Sequence, residues 1–226
     1  MADLLNNESG ALQTGKPCPV AFLKNHWQMF VNVYLFINIA AWVVWRIHKT
    51  WIAGNLGYVE IAFAVQNVVF LAVILMRRPH QAIDGNFFNQ TIAVVAFFSG
   101  LAFMGQRPMG GQTALMLSKG IVICAHVLGA LCLATLGRSF GILIALRKVQ
   151  SGGIYRMVRH PMYAADILLR VGYLVSHLHW LTSVLFVLSS ACYVYRAILE
   201  ERFLSRTPEY QDYMRTVKHR FIPFVV

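Results

Sequence analysis

Apolar residues fall in six runs along the chain, at about 27–45, 57–76, 87–105, 113–136, 163–178 and 180–199, with most polar residues gathered at the joints. A membrane-spanning helix needs roughly 20 consecutive apolar residues, so the pattern predicts about six transmembrane segments. The fifth run is short, and only His177 to Trp180 divides it from the sixth. Those two read as a tight helical hairpin. Residues 1–26 are polar and loop-like, with Gly10, Gly15, Pro17 and Pro19, and they lack the basic start and apolar stretch of a cleavable signal peptide. The expected fold is all-α: a polytopic membrane helix bundle followed by a C-terminal amphipathic helix. Three regions follow, a polar segment 1–26, four helices over 27–136, and a C-terminal region 137–226 that carries the chemistry.

Composition supports the membrane reading. Of 226 residues, 58% are hydrophobic and 13% charged, and the mean hydropathy is +0.56. Soluble domains carry roughly 25% charged residues, so about half the usual solvating charge is present. Disorder is excluded as well, because disordered chains are poor in aromatics and this one is 13% Phe, Trp and Tyr.

The net charge of +11 would suggest nucleic acid in a soluble protein. Here the basic residues sit between apolar runs instead of on one face, which points to cytoplasmic loops and away from nucleic acid. With six spans, one side holds Lys16, Lys24, Arg77, Arg78, Arg138, Arg147, Lys148, Arg156, Arg159, Arg202, Arg206, Arg215, Lys218 and Arg220. The other holds Arg46, Lys49 and Arg107. Fourteen against three places both termini in the cytoplasm, in a bacterial inner membrane or an endoplasmic reticulum. Cys18, Cys124, Cys132 and Cys192 have no CxxC spacing and read as small buried hydrophobes.

The polar residues able to do chemistry concentrate in 137–163 and 196–224, both on that cytoplasmic side. In the first stretch Gly152-Gly153 makes a turn, and Pro161 suits the first turn of a helix, so a helix starts near His160. Its N-terminus attracts an anionic group such as a carboxylate. Arg156 and Arg159 add charge beside it, and His160 and Tyr163 offer hydrogen-bonding or stacking surfaces. The plainer alternative is a basic loop resting on lipid phosphates.

In the second stretch Arg196 and Glu200 are four apart and can pair. Glu201 lies about 100° further round, and two adjacent acids suit a cation or a polyol. Thr207-Pro208-Glu209 resembles a helix start, after which Tyr210, Tyr213, Met214 and Val217 form the stripe of a short amphipathic helix. It would lie on the membrane or cap a site. Glu209, Asp212 and Lys218 read as solvated charges.

Other ionisable residues lie inside the apolar runs. Asp166 and Arg170 either neutralise each other or line a substrate entrance. Lys119 and His126 are explained by snorkelling and by an internal hydrogen bond. His177 and His179 are too few to make a metal site, and none is expected.

Taken together, Arg159-His160-Pro161-Met162-Tyr163, then Glu200-Glu201, then Glu209-Tyr210-x-x-Tyr213 and Arg220-Phe221-Ile222-Pro223 form an ordered set. It resembles the integral-membrane methyltransferases that include isoprenylcysteine carboxyl methyltransferases and phospholipid N-methyltransferases. The resemblance covers roughly 136–224 and leaves the first four helices unmatched. It implies a cytosol-facing pocket for S-adenosyl-L-methionine, with Tyr155, Arg159, His160, Pro161, Tyr163, Glu200 and Glu201 binding the cofactor. The donor's carboxylate would sit by Arg159, its ammonium and ribose by Glu200 or Glu201, and its adenine against Tyr155 and Tyr163. Two departures stand out. Gly153-Ile154-Tyr155 replaces Gly-Pro-Tyr, and Ala164-Ala165-Asp166 stands where many members have glycine.

Methyl transfer to a lipophilic or amphiphilic acceptor needs positioning and desolvation above all. A carboxylate or thiolate acceptor requires only a cation to hold it, for which Arg196 or Arg220 is the candidate. An amine acceptor must lose a proton, and Asp166 or Glu201 is then the candidate base. Two other readings stay open: a sterol-reductase-like enzyme using NADPH, opposed by the Glu200-Glu201 pair, and a non-enzymatic transporter or scaffold, opposed by the absence of repeats.

Overall fold

Helices form where the apolar runs predict them, and their lengths decide which can cross a bilayer. The computed structural model describes residues 19–77, 80–103 and 108–223. In chain order come α1 (Pro19–Ile52), α2 (Tyr58–Met76), the two-residue strand β1 (Ala82–Ile83), α3 (Phe87–Phe98) and α4 (Gln112–Leu136). A second short strand, β2 (Ala145–Leu146), precedes α5 (Pro161–Ser176), α6 (Trp180–Leu204) and α7 (Pro208–Thr216). The all-α expectation therefore holds, apart from one small ladder. The polar segment up to Cys18, together with Lys16, Arg78 and Arg107 of the charge count, lies outside the described residues.

Among the described residues, three helices are long and apolar enough to span: α2, α4 with its continuation to Ser139, and α6. Two other predicted spans fall short for physical reasons. The third is a helix of 12 residues that tightens into a 3-10 turn over Ser99–Phe103. The fifth has 16 residues, about 24 Å at 1.5 Å per residue, against a hydrocarbon core of about 30 Å. The first is long enough at 34 residues and has no Asp, Glu, Lys or Arg over 28–45. It also begins at Pro19, so residues 19–26 are helical and not loop-like. Proline at a helix start loses no hydrogen bond.

Outward-facing residues are apolar: Tyr34, Ile37, Val44, Val65, Val68, Leu131 and Val187 are all exposed. Surfaces of that kind suit lipid and not water. The inner faces meet in a cluster of Phe70, Val73, Ile74, Leu133, Phe140 and Ile142. Small residues let α4 and α5 approach closely. A Cβ on Gly172 would lie 2.7 Å from Val122 Cγ2, and Ser118 Oγ donates to the Gly172 carbonyl at 2.7 Å. Between α2 and α4, His126 Nδ1 meets Gln66 Oε1 at 2.5 Å, which gives the buried histidine its partner. Cys132 is buried as expected, but Cys124 is exposed and Cys192 half-buried.

Strands β1 and β2 pair antiparallel, Ala82 with Leu146 and Ile83 with Ala145. Gln81 N donates to Leu146 O (2.9 Å) and Asp84 N to Ile144 O (3.0 Å). Gln90 closes the ladder from α3, its side chain donating to Ile144 O at 2.9 Å and accepting from Ile144 N at 3.0 Å. This clip fixes residues 141–150 along one end of the helices, where the polar stretches converge.

Candidate functional site

Pro161 opens α5 with His160 as its N-cap, where the sequence placed that helix start. The residues before it are tied to the last described segment. Arg159 N donates to His219 O (2.9 Å) and His160 N to Arg220 O (2.8 Å). Arg159 Nη1 reaches further back, to Val217 O (2.8 Å) and Lys218 O (3.0 Å). Residues 217–221 thus lie across the start of α5, beside a pocket that Arg159 and His160 line.

That clasp is locked by Glu201, 4% exposed. Arg159 Nε donates to Glu201 Oε1 at 2.8 Å, and His160 Nε2 to the same oxygen at 3.1 Å. Arg220 Nε holds Oε2 at 3.1 Å. The lone pairs of this carboxylate are occupied by the protein's own cations, which is how a buried charge is tolerated. Glu200, one residue earlier, turns toward the pocket and accepts from the Tyr163 hydroxyl at 2.5 Å. Tyr163 stacks on His160 with ring centroids 5.2 Å apart and planes 9° apart.

The pocket is a partly open cleft with a cavity volume of about 110 Å³, tighter than the roughly 300–1,000 Å³ of most small-molecule sites. Of the residues expected to bind a cofactor, Tyr155, Arg159, His160, Tyr163 and Glu200 line it. Pro161 and Glu201 stand behind its wall. Helix α7 forms a lid: Tyr210 and Tyr213 are buried against Val149, Leu204 and Met214 and also line the pocket. The Tyr213 hydroxyl donates to Tyr155 O at 2.7 Å. Burial and the nearby negative charges push the hydroxyls of Tyr155 and Tyr210 up, so both stay neutral. The result is an apolar, aromatic wall beside one acid.

The residues expected to hold or deprotonate an acceptor lie elsewhere. Arg196, 3% exposed, donates to Ala93 O (2.9 Å) and Ile142 O (2.6 Å) and stacks under Tyr163 at 5.1 Å. It makes no ion pair with Glu200 among the described residues, and its guanidinium bonds instead to the backbone carbonyls of Ala93, Gly141 and Ile142. Asp166 and Arg170 form no close side-chain ion pair among the described residues either. Arg170 donates to the backbone carbonyl of Asp166 (2.7 Å) and to Ser99 Oγ (2.9 Å), and it packs over Tyr193. Both groups lie within the bundle, away from the pocket wall. Arg220 is the most open of the set, with a side chain 41% exposed. His179 caps α6 by accepting from Leu181 N, and no cluster of three metal-ligating residues occurs among the described residues.

Sequence reasoning missed Arg147, Met162 and Leu204 as lining residues. Met162 was inside the quoted motif and Leu204 next to the acids, but Arg147 read only as one of many loop cations.

Comparison with known proteins matches this part of the chain. Residues 114–209 match the family model described as phospholipid methyltransferase. Two rice proteins, from Oryza sativa subsp. indica and subsp. japonica, are each named probable protein-S-isoprenylcysteine O-methyltransferase. Each is 32% identical over 113 residues, covering 46% of this chain and 59% of the relative. The methyltransferase resemblance drawn from the C-terminal motifs therefore holds for the region that builds the pocket. The chain spans about three fifths of the length of these relatives.

Proposed function

We propose that the protein is an integral-membrane methyltransferase that uses S-adenosyl-L-methionine to methylate a lipophilic or amphiphilic acceptor at the cytosolic membrane face. The observation that carries this reading is the convergence of Tyr155, His160, Tyr163 and Glu200 on one pocket, inside the stretch that matches the family. The pocket's chemistry suits the donor. Glu200 faces it with one oxygen hydrogen-bonded to Tyr163 and is placed to take an ammonium or ribose hydroxyl. Tyr155, Tyr210 and Tyr213 present an apolar aromatic surface for adenine. When bound, the donor supplies an electrophilic methyl group on a sulfonium.

The protein's own part is to bind, orient and exclude water. Glu201, with Arg159, His160 and Arg220, fixes the wall on which His160 and Tyr163 stack, and α7 covers the opening. A dry site at the bilayer edge favours attack by an anionic acceptor on a cation, because charge is neutralised on the way to the transition state. Such an acceptor needs no general base. Arg220 is the exposed cation best placed to hold one, whereas Arg196 is engaged with backbone carbonyls. An amine acceptor would give its proton to water, since Asp166 lies within the bundle away from the pocket wall.

Residues 27–136 serve as a membrane platform in this reading, with the C-terminal region from 137 as the cofactor-binding unit and both termini cytoplasmic. The test is calorimetric titration of detergent-purified protein with S-adenosylhomocysteine, with Glu200→Gln alongside. Micromolar binding that weakens in the variant is expected. Absence of binding by folded wild-type protein would remove the cofactor assignment.

A further inference from the structure

Arg147 is 8% exposed and forms part of the pocket wall. It makes no hydrogen bond or ion pair among the described residues, and its Nε is fully buried without a partner. Buried guanidinium groups are ordinarily paired, since desolvating an uncompensated cation is costly. Its position is built, not accidental. Leu146, the residue before it, is held by Ala82 and by Gln81 N across the β1–β2 ladder. The guanidinium lies against Gly141, where a Cβ would come within 2.1 Å of Nη1 and 2.6 Å of Cζ, so a larger residue there must push the guanidinium aside.

The neighbours sharpen the case. Arg77, at the end of α2, also has a buried Nε without a partner, and His80 nearby is depressed by burial first and then by Arg147 and Arg77. Positive charge is therefore concentrated behind this wall. Of the other Lys and Arg side chains lining the pocket, Lys148 is exposed to water, and Arg159 is bonded to Glu201 and to two carbonyls. The sequence pointed to Arg159 as the carboxylate's partner, but that guanidinium is already engaged. On the acidic side, Glu200 keeps one oxygen without a hydrogen bond among the described residues. A wall that offers one cation without a hydrogen bond and one acid matches a zwitterion.

We infer that Arg147, seated on Gly141, receives the carboxylate at the amino-acid end of the methyl donor. The inference rests on the methyltransferase reading and adds a residue to it. The motif supplies the aromatic and acidic contacts, and the β1–β2 clip supplies the cation.

The test uses two ligands that differ only by the carboxylate: S-adenosylhomocysteine and its decarboxylated analogue, S-adenosyl-3-thiopropylamine. Both are titrated calorimetrically into purified wild-type protein, Arg147→Met, Arg147→Lys and Gly141→Ala, with thermal melting as a check on folding. Wild-type protein should bind the decarboxylated compound at least tenfold more weakly. Arg147→Met should bind both with one and the same reduced affinity. Arg147→Lys should keep part of the discrimination. Gly141→Ala displaces the guanidinium, so it should lose discrimination with Arg147 intact, and it provides the answer should Arg147→Met not fold. Arg147→Met protein that discriminates as wild type does would overturn the inference, as would a wild type that binds both ligands equally. Folded wild-type protein that binds neither would instead overturn the methyltransferase reading on which it rests.

Discussion

Glu200 and Glu201 are neighbours in sequence, yet their carboxylates serve different ends. Glu200 faces the pocket and accepts from Tyr163, while Glu201 is buried under Arg159, His160 and Arg220. One step along a helix turns a side chain by about 100°, enough to separate a ligand-facing acid from a structural one.

Glu201→Gln should accordingly act on stability first. Removing one member of a buried ion cluster leaves cations uncompensated and costs about 3 kcal/mol. The expected result is a clearly lower melting temperature in detergent, with ligand affinity falling because the wall has moved. A variant that melts like wild type would show that the clasp contributes little.

Glu200→Gln should do the reverse. The Tyr163 bond can persist with an amide oxygen, so melting should stay within a few degrees of wild type. Binding of S-adenosylhomocysteine should weaken by about tenfold, roughly 1.4 kcal/mol for a lost charge-assisted contact. Calorimetry on the two glutamate variants side by side separates the roles.

Arg147→Met should raise stability while it lowers affinity. Burial, with Arg77 nearby, holds the Arg147 guanidinium down to about 10, well below its ordinary value, against the pull of Glu200. The folded state therefore carries a disfavoured cation at every pH below about 10. Above that value the folded protein releases its proton before the unfolded chain does, and the cost fades. Near neutral pH the substitution should stabilise the protein by about 2 kcal/mol, visible as a melting temperature higher by several degrees. A lower one would mean that the cation is compensated.

Close packing of α4 on α5 gives a further check away from the pocket. Gly172→Ala would put a Cβ 2.7 Å from Val122 Cγ2 and 3.2 Å from the Val122 backbone nitrogen. Overpacking of that kind costs about 1–3 kcal/mol. Gly120→Ala, where a Cβ meets nothing within 4 Å, should be neutral or slightly stabilising. Thermal melting of the pair tests whether the helix contact is as tight as described.

Arg196→Ala should lower stability by about 3 kcal/mol, since Ala93 O and Ile142 O lose their donor inside the bundle. A variant that melts normally but loses only acceptor affinity would favour the acceptor-holding role first read from the sequence.

The sequence revealed the helices because apolar runs of 16 to 24 residues leave few alternatives, and the start of α5 because Pro161 marks it. The helical state of residues 19–26 was hidden by Lys24, Asn25 and His26, whose polarity resembles a loop. The different uses of Glu200 and Glu201 were not legible, since Arg220, which helps to select between them, lies 19 residues further on. Arg147 was invisible for a related reason. Its burial depends on a strand pairing that joins residues 82–83 to 145–146, and two-residue strands carry no periodic signal. The family motif marks the residues that sit on α5 and α6, whereas the cation arrives from a loop.

The backbone bonds from Arg159 and His160 to His219 and Arg220 set an order of events during synthesis. Helices α1 to α6 are all made before residues 217–221. Until then Glu201 has Arg159 and His160 but not Arg220, and the backbone N–H groups of Arg159 and His160 lack their partners. The start of α5 is thus completed last, by the closing of a single short strap. A stalled chain that has exposed α6 but not that strap would hold Glu201 one cation short.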